Sequence, residues 1–235
     1  MRTIPTFVEG LDKALGGGVP EGNAVLIAGG PGTMKSTLVY SILYKNAAEG
    51  TPGLFVSLEQ RTPDIVAKMA LLGMTPLPED KLYVMDMADI RMAFREKDKE
   101  KSRDWLKILQ KLFEEAVGAG GYRLFALDSL DVLYAIGNFK EIRKELFHFV
   151  NMLKELGFTP FLVGEVPLGS QVREGRPEDF LADGIILTEQ FPVGAMGVQL
   201  RARCVKMRGA NHDRGYFLLD WDGGRFLARK AILQQ

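Results

Sequence analysis

The chain has 235 residues, 46% of them hydrophobic, enough to bury a full core, and its length fits one α/β domain over residues 1–235 better than two small ones. Thirty basic and thirty acidic residues cancel, which removes any global field drawing the protein to nucleic acid or to acidic membranes. No apolar stretch approaches the ~20 residues needed to span a bilayer, Met1-Arg2-Thr3-Ile4-Pro5 opens no signal-peptide pattern, and the lone Cys204 excludes an intramolecular disulfide; a soluble cytoplasmic protein is expected.

In chain order, the first element with chemical content is the apolar run Ala24-Val25-Leu26-Ile27-Ala28, which predicts a strand. It leads into Gly29-Gly30-Pro31-Gly32-Thr33-Met34-Lys35-Ser36-Thr37, and a helical pattern runs on from about Lys35 to Glu49 and stops near Gly50. Strand, glycine-rich loop, Lys-Ser and helix together form a phosphate-binding P-loop: Gly30, Pro31, Gly32, Thr33 and Met34 curl around the site, all but Pro31 offering a backbone N–H, Lys35 reaches phosphate oxygens, and Ser36 with Thr37 supplies hydroxyls, Ser36 for Mg²⁺. Gly-Gly-Pro-Gly is also an ordinary turn. Met34 stands where the motif has its second glycine, so a left-handed backbone there costs about 1–2 kcal/mol, which N–H···phosphate bonds and the helix N-terminus offset.

Further strands are expected at Gly53 to Ser57, Leu82 to Met85, Leu124 to Leu127 and Phe158 to Gly164. Helical patterns alternate with them: one after Gln60-Arg61-Thr62-Pro63-Asp64, a stripe of Trp105, Ile108, Leu109, Leu112, Phe113, Ala116 and Val117 ended by Gly118, and a stripe of Ile142, Leu146, Val150, Leu153 and Leu156 ended by Gly157. The alternation predicts an α/β fold, a mostly parallel central sheet with helices on both faces, and with the P-loop at its first core strand this has the form of a P-loop NTPase. Arg95 to Asp104 mixes charges and reads as a solvated helix start or a mobile loop. Beyond Asp183, short strands at Gly184 to Glu189, Val198 to Met207, Tyr216 to Leu219 and Arg225 to Ala228 predict an antiparallel C-terminal edge.

Two strand ends carry carboxylates. Arg123-Leu124-Phe125-Ala126-Leu127-Asp128-Ser129 has the form of a Walker B strand, with Asp128 opposite Ser36 in the Mg²⁺ shell; the plainer reading is an aspartate capping the next helix. Gly53 to Ser57 ends in Leu58-Glu59-Gln60, and Glu59 is the candidate for orienting and deprotonating the attacking water, against a solvated strand-end glutamate. In a parallel sheet both ends share the P-loop edge.

With these residues the chain resembles the RecA-like ATPases, specifically their KaiC-like branch, from about Ile4 to Arg229. The resemblance covers Gly10-Leu11-Asp12, Gly16-Gly17-Gly18-Val19-Pro20, the P-loop, Leu58-Glu59, Leu127-Asp128-Ser129 and, most particular, Val205-Lys206-Met207-Arg208-Gly209-Ala210-Asn211-His212. It implies ATP as ligand and a ring-shaped homo-oligomer, expected to be a hexamer, in which Lys206 and Arg208 reach nucleotide held by the adjacent subunit. Strand geometry agrees: period-2 alternation puts Lys206 and Arg208 on one side and Val205 and Met207 on the other. A solvated hairpin face is the plainer reading. His212 is a further candidate for contact with the nucleotide or its base, against an exposed loop histidine; His148, beside Lys144 and Glu145, is assigned no chemistry.

The chain also departs from the family. Glu178-Asp179-Phe180-Leu181-Ala182-Asp183 holds no hydroxyl where some members phosphorylate themselves, which disfavours autokinase activity and a circadian-clock role. Gln60 stands where relatives commonly pair a second carboxylate, and Glu165 is either a sensor of nucleotide state or a strand-end charge. Three functions remain in view: a Mg-dependent ring ATPase, a DNA-binding recombination accessory using the segment Gly164 to Phe180, and a nucleotide switch with negligible turnover. In that segment Arg173 and Arg176 are offset by Glu174, Glu178 and Asp179, so at most weak DNA binding is expected. No protein partner is legible.

Overall fold

The computed structural model describes residues 2–95, 109–115, 121–137, 139–166, 177–194 and 196–230. A two-stranded antiparallel ribbon, β1 (Thr3–Ile4) and β2 (Val19–Pro20), flanks the short helix α1 (Leu11–Ala14). Asp12 closes this segment by accepting from the Thr6 and Phe7 N–H groups at 2.7 and 3.0 Å.

The main sheet is built from β3 (Val25–Gly29), β4 (Gly53–Ser57), β5 (Leu82–Asp86), β6 (Leu124–Asp128), β7 (Thr159–Glu165), β8 (Gly184–Val193), β9 (Gly197–Met207), β10 (Phe217–Asp222) and β11 (Arg225–Lys230). Their spatial order is β11-β10-β9-β8-β3-β7-β6-β4-β5. From β8 to β5 the pairing is parallel, and β9, β10 and β11 add antiparallel, as the sequence pattern predicts. The helices are α2 (Lys35–Ala48), α3 (Thr62–Leu71), α4 (Met87–Arg95), α5 (109–115), α6 (Leu130–Ile136), α7 (Ile142–Glu155) and α8 (Pro177–Leu181).

Both sheet faces are covered, which is why the central strands read as unbroken apolar runs rather than as alternation. Val25 and Ile27 of β3 join one core with Leu38, Val39 and Ile42 of α2, while Leu26 and Ala28 join a second core with Leu146, Phe149 and Leu153 of α7. Strand period 2 thus sorts one run into two cores. The predicted stop of α2 is realised at Gly50, whose φ of 89° lets its N–H and that of Thr51 return to the Ala47 and Asn46 carbonyls.

Strand ends differ from the sequence reading by small amounts with consequences. β6 includes Asp128 itself, β7 runs from Thr159 to Glu165, β10 starts at Phe217 and extends to Asp222, and β8 continues four residues past Glu189. Helices α4, α6 and α8 are not visible in the periodicity. Asp86 starts α4 by accepting from the Ala88 and Asp89 N–H groups at 2.6 and 3.1 Å, and its other oxygen accepts from Thr62 N–H at 2.8 Å at the head of α3. One buried carboxylate so caps two helices, a tertiary arrangement that local periodicity does not encode. Of the stripe expected between Trp105 and Val117, Leu109 and Phe113 are fully buried, whereas Trp105, Ile108, Ala116 and Val117, with most of the charged run at 95–104, lie outside the described residues.

Candidate functional site

The loop after β3 is held open by its neighbours. Gly29 pairs with Glu165 of β7 on one side and Thr188 of β8 on the other. A Cβ on Gly29 would lie 2.3 Å from the Thr188 carbonyl oxygen and 2.5 Å from Thr33 Oγ1, so only glycine fits. Thr33 donates its hydroxyl to the Gly30 carbonyl at 2.8 Å, and the fully buried Thr188 hydroxyl lies 2.9 Å from Thr33 Oγ1, buttressing the loop from the next strand. Thr188 has no local sequence signal, because its part depends on β8 pairing beside β3.

Met34 is left-handed, with φ 60° and ψ 25°, at the N-cap of α2. The strain expected at this position, about 1–2 kcal/mol, is therefore present in the fold. The Met34 side chain is half-buried against the core of β3 and α2, a packing gain that glycine lacks and that offsets part of the cost. Lys35 follows, 8% exposed, its Nζ donating to the Gly30 carbonyl at 2.9 Å, which keeps the cation within the curl of the loop.

Asp128 is 2% exposed at the end of β6. Burial pushes its carboxyl up to about 6; a hydrogen bond from Ser36 lowers it, Glu59 raises it, Lys35 lowers it and Glu165 raises it. Ser36, Lys35, Glu59, Asp128 and Glu165 therefore form one electrostatic cluster at the carboxyl edge. Glu59, just beyond β4, accepts a short hydrogen bond from Ser129, and Ser57 pairs with Asp128 across the strands. Glu165 N–H donates to Asp131 Oδ2 at 2.6 Å. Gln60 is engaged twice: its N–H donates to Ser57 Oγ at 3.0 Å and its side-chain oxygen accepts from Lys68 at 2.6 Å. Ser129 and Asp131 were not singled out in the sequence, although the run Asp128-Ser129-Leu130-Asp131 carries them openly.

No cluster of three or more His, Cys, Asp or Glu side chains suited to holding a metal occurs among the described residues. The Ser36 hydroxyl and Asp128 carboxylate are nevertheless hard oxygen donors, and three carboxylates against one lysine leave local negative charge. That donor set fits Mg²⁺, which takes one or two protein oxygens and completes its shell with phosphate and water.

Lys206, Arg208 and His212 lie elsewhere. β9 runs antiparallel to β8, so Met207 pairs with Gly184, and Gly184 pairs with Val25 at the start of β3. The Lys206–Arg208 turn therefore sits at the opposite edge from the P-loop, separated by the length of β3, ~17 Å at about 3.3 Å per residue. His212 belongs to the same end: Asp213 N–H donates to the Ala14 carbonyl, and Asn23 holds the Arg208 carbonyl at 2.8 Å. His212 Nδ1 is 3.5 Å from the Ala210 carbonyl oxygen. Within one chain these three residues do not join the P-loop cluster.

The expected alternation fails in one detail. A bulge shifts the β8–β9 register between Ile185, opposite Lys206, and Ile186, opposite Cys204, leaving Val205 over. Val205 is consequently 44% exposed and Met207 4%, so the two do not share one side. Lys206 and Arg208 still converge: Lys206 Nζ donates to the Ala182 and Asp179 carbonyls at 2.5 and 3.3 Å, and Arg208 Nη1 lies 3.1 Å from Asp183 Oδ1. Burial lowers the Lys206 pKa, Arg208 lowers it further, and Asp183 and Asp179 oppose the shift. Burial alone would raise Asp183, but hydrogen bonds from Lys154 and Ala24 N–H, with Arg208, hold it below the usual aspartate range.

No helix among the described residues is long and apolar enough to cross a membrane. The model of the KaiC ATPase family matches residues 4–221. A UPF0273 protein of Aeropyrum pernix is 30% identical over 89% of this chain and 86% of its own length, and a UPF0273 protein of Thermotoga maritima is 28% identical over 95% and 98%. Circadian clock protein KaiC2 of Synechocystis is 28% identical over 93% of this chain, which covers 39% of that protein. The crystal structure of a KaiC-like protein from Pyrococcus horikoshii is similar with a TM-score of 0.79, at 27% identity, over 97% of this chain and 98% of the other. With a Walker-type loop on β3, an acidic strand end on β6 and a family match along nearly its whole length, this chain belongs to the KaiC ATPase family, a nucleotide-binding P-loop ATPase of RecA-like fold.

Proposed function

We propose that the chain is a Mg-dependent ATPase of the cytoplasm, one domain per subunit, working as a ring-shaped homo-oligomer, a hexamer, with its sites at subunit boundaries. In this reading the P-loop N–H groups and Lys35 bind the phosphates of ATP. Ser36 and Asp128 hold Mg²⁺, which when bound neutralises phosphate charge. Glu59, oriented by Ser129, accepts the proton of the attacking water. Lys206 and Arg208 of an adjacent subunit stabilise the charge that develops in the transition state, as arginine fingers do. His212 approaches the same nucleotide from that neighbour.

One observation carries the proposal: the P-loop cluster and the Lys206/Arg208 pair stand at opposite edges of the same sheet. Cations so placed cannot serve their own loop, whereas head-to-tail association brings the two edges together and closes into a ring when the rotation allows. Lys35→Ala should abolish ATP binding and turnover; retention of both removes the basis of the reading. Mixing Glu59→Ala with Arg208→Ala subunits should restore activity at about a quarter of the boundaries, and absence of restoration in demonstrably mixed rings refutes the trans arrangement.

A nucleotide switch is the second reading. The Gln60 amide, bound to Lys68, supplies no second base beside Glu59. ATP-dependent assembly without phosphate release favours this reading, and hydrolysis by the purified protein excludes it. Of the segment Gly164 to Phe180 named for DNA binding, residues 167–176 lie outside the described residues; lack of single-stranded DNA binding at low salt dismisses that reading.

A further inference from the structure

A continuous set of contacts links the two edges within one subunit. Ser129, the partner of Glu59, is the N-cap of α6. Further along that helix Tyr134 donates its hydroxyl to Glu178 Oε2 at 2.8 Å. Glu178 is 1% exposed, on α8. The Glu178 carbonyl accepts from Ala182 N–H at 2.9 Å, carrying the placement of Glu178 through the helix to its end. There the carbonyls of Asp179 and Ala182 grip Lys206, while the Asp183 carbonyl accepts from Arg208 N–H at 2.9 Å and its carboxylate from the guanidinium. The links are part-buried, with Glu178 at their centre removed from solvent and Glu59 and Arg208 exposed at the two ends.

Packing alone does not call for a glutamate at position 178. Burying a carboxylate costs solvation free energy that a leucine of similar volume avoids, and such a group serves direction rather than cohesion: a carboxylate accepting from a phenol fixes distance and angle between two helices. The helix it fixes ends in the acceptors that hold both cations.

We propose that Tyr134 and Glu178 are positioning residues for Lys206 and Arg208. They set α8 against α6, and α8 aims the two cations; the helix rooted at one subunit's Asp128 strand thereby positions the groups that subunit offers to its neighbour. The inference rests on the trans reading proposed above. It makes each subunit a connector between two successive sites, because a displacement of α6 at its own nucleotide reaches the next nucleotide through α8.

Tyr134→Phe and, separately, Glu178→Gln test this in the full chain, each preserving shape while weakening the Tyr134–Glu178 hydrogen bond. Turnover should fall about 3- to 10-fold with affinity for a fluorescent ATP analogue held within about twofold. The decisive readout is mixing. Tyr134→Phe subunits combined with Glu59→Ala subunits should exceed the average of the two separate preparations, since the Glu59→Ala neighbour lends properly aimed cations to a site with an intact base. Arg208→Ala with Glu59→Ala runs in parallel. Recovery in both mixtures supports the proposal. Recovery with Arg208→Ala alone, or turnover unchanged in both single variants, overturns it and leaves the trans reading standing. No recovery with Arg208→Ala removes the trans reading and this inference with it.

Discussion

Asp128 and Asp183 are the same residue type, both buried, at opposite edges of one sheet, and their surroundings drive them in opposite directions. Asp183 accepts from Lys154 at 2.7 Å, Ala24 N–H at 3.0 Å and Arg208 at 3.1 Å, and these contacts outweigh its desolvation. Asp128 has Ser36 and Lys35 in its favour and Glu59 and Glu165 against it. The first is a completed structural joint. The second is a carboxylate whose ionised form burial and its neighbouring carboxylates disfavour, at the position proposed above for Mg²⁺. Around Asp183 the cations Lys154, Lys206 and Arg208 gather; around Asp128 the carboxylates Glu59 and Glu165 do. In the head-to-tail association proposed above, the cation-rich edge would face the carboxylate-rich one.

The contrast breaks most sharply at Arg208. Arg208→Ala should lower turnover by roughly 10³-fold while leaving equilibrium ATP binding by an isolated subunit unchanged, as measured by phosphate release against nucleotide titration. A parallel loss of subunit-level binding would mean that the two edges share one site.

Asp183→Asn should come next, costing about 1–2 kcal/mol of stability by weakening the bond from Ala24 N–H and the ion pairs with the partly exposed Lys154 and Arg208. Because the native pKa is depressed, the wild-type advantage is complete at neutral pH and closes as pH falls through the native value, below the ordinary ~3.9. Denaturant melts of both proteins at pH 7 and pH 3.5 check the sign.

Asp128→Asn should do the reverse to stability. Its native pKa, about 6, is raised, so above that pH the wild type holds an ionised buried carboxylate at a cost that asparagine avoids. The nucleotide-free variant should melt a few degrees higher above pH 6, the gain fading as pH falls through 6 toward the ordinary aspartate value. Turnover should nonetheless collapse. A lower melting point for the variant at pH 8 would show that Asp128 is instead a structural joint like Asp183.

Met34→Gly should have the smallest effect. Relief of about 1–2 kcal/mol of left-handed strain is opposed by lost packing and by the freer unfolded chain, so net stability should shift by less than about 1 kcal/mol. ATP affinity should change by less than about threefold if methionine already holds the nest in place, which a titration against the wild type measures.

What was legible in advance follows from how local each signal is. The P-loop, the helix after it and the strands bearing Glu59 and Asp128 are contiguous segments whose apolar runs and glycine spacing declare both structure and chemistry. The residues that complete those sites are remote in sequence. Thr188 reaches Thr33 only because β8 pairs with β3, and Ser129 meets Glu59 only because β6 lies beside β4. Met34 was expected to be strained, but its compensating contact with the core is a matter of packing. The alternation forecast for Val205 to Arg208 failed in detail because a bulge is set by cross-strand register rather than by composition.

By itself, then, the chain determined the alternating α/β order, the parallel core and its antiparallel edge, because hydrophobic period and turn residues act over a few positions. It also determined which residue types are available for phosphate, metal and water chemistry. The tertiary structure decided that Lys206 and Arg208 occupy the edge opposite the one Glu59 and Asp128 share with the P-loop. That choice rests on strand pairing between residues more than a hundred positions apart, and it sets the Lys206/Arg208 pair a full strand length from the loop whose nucleotide chemistry it complements.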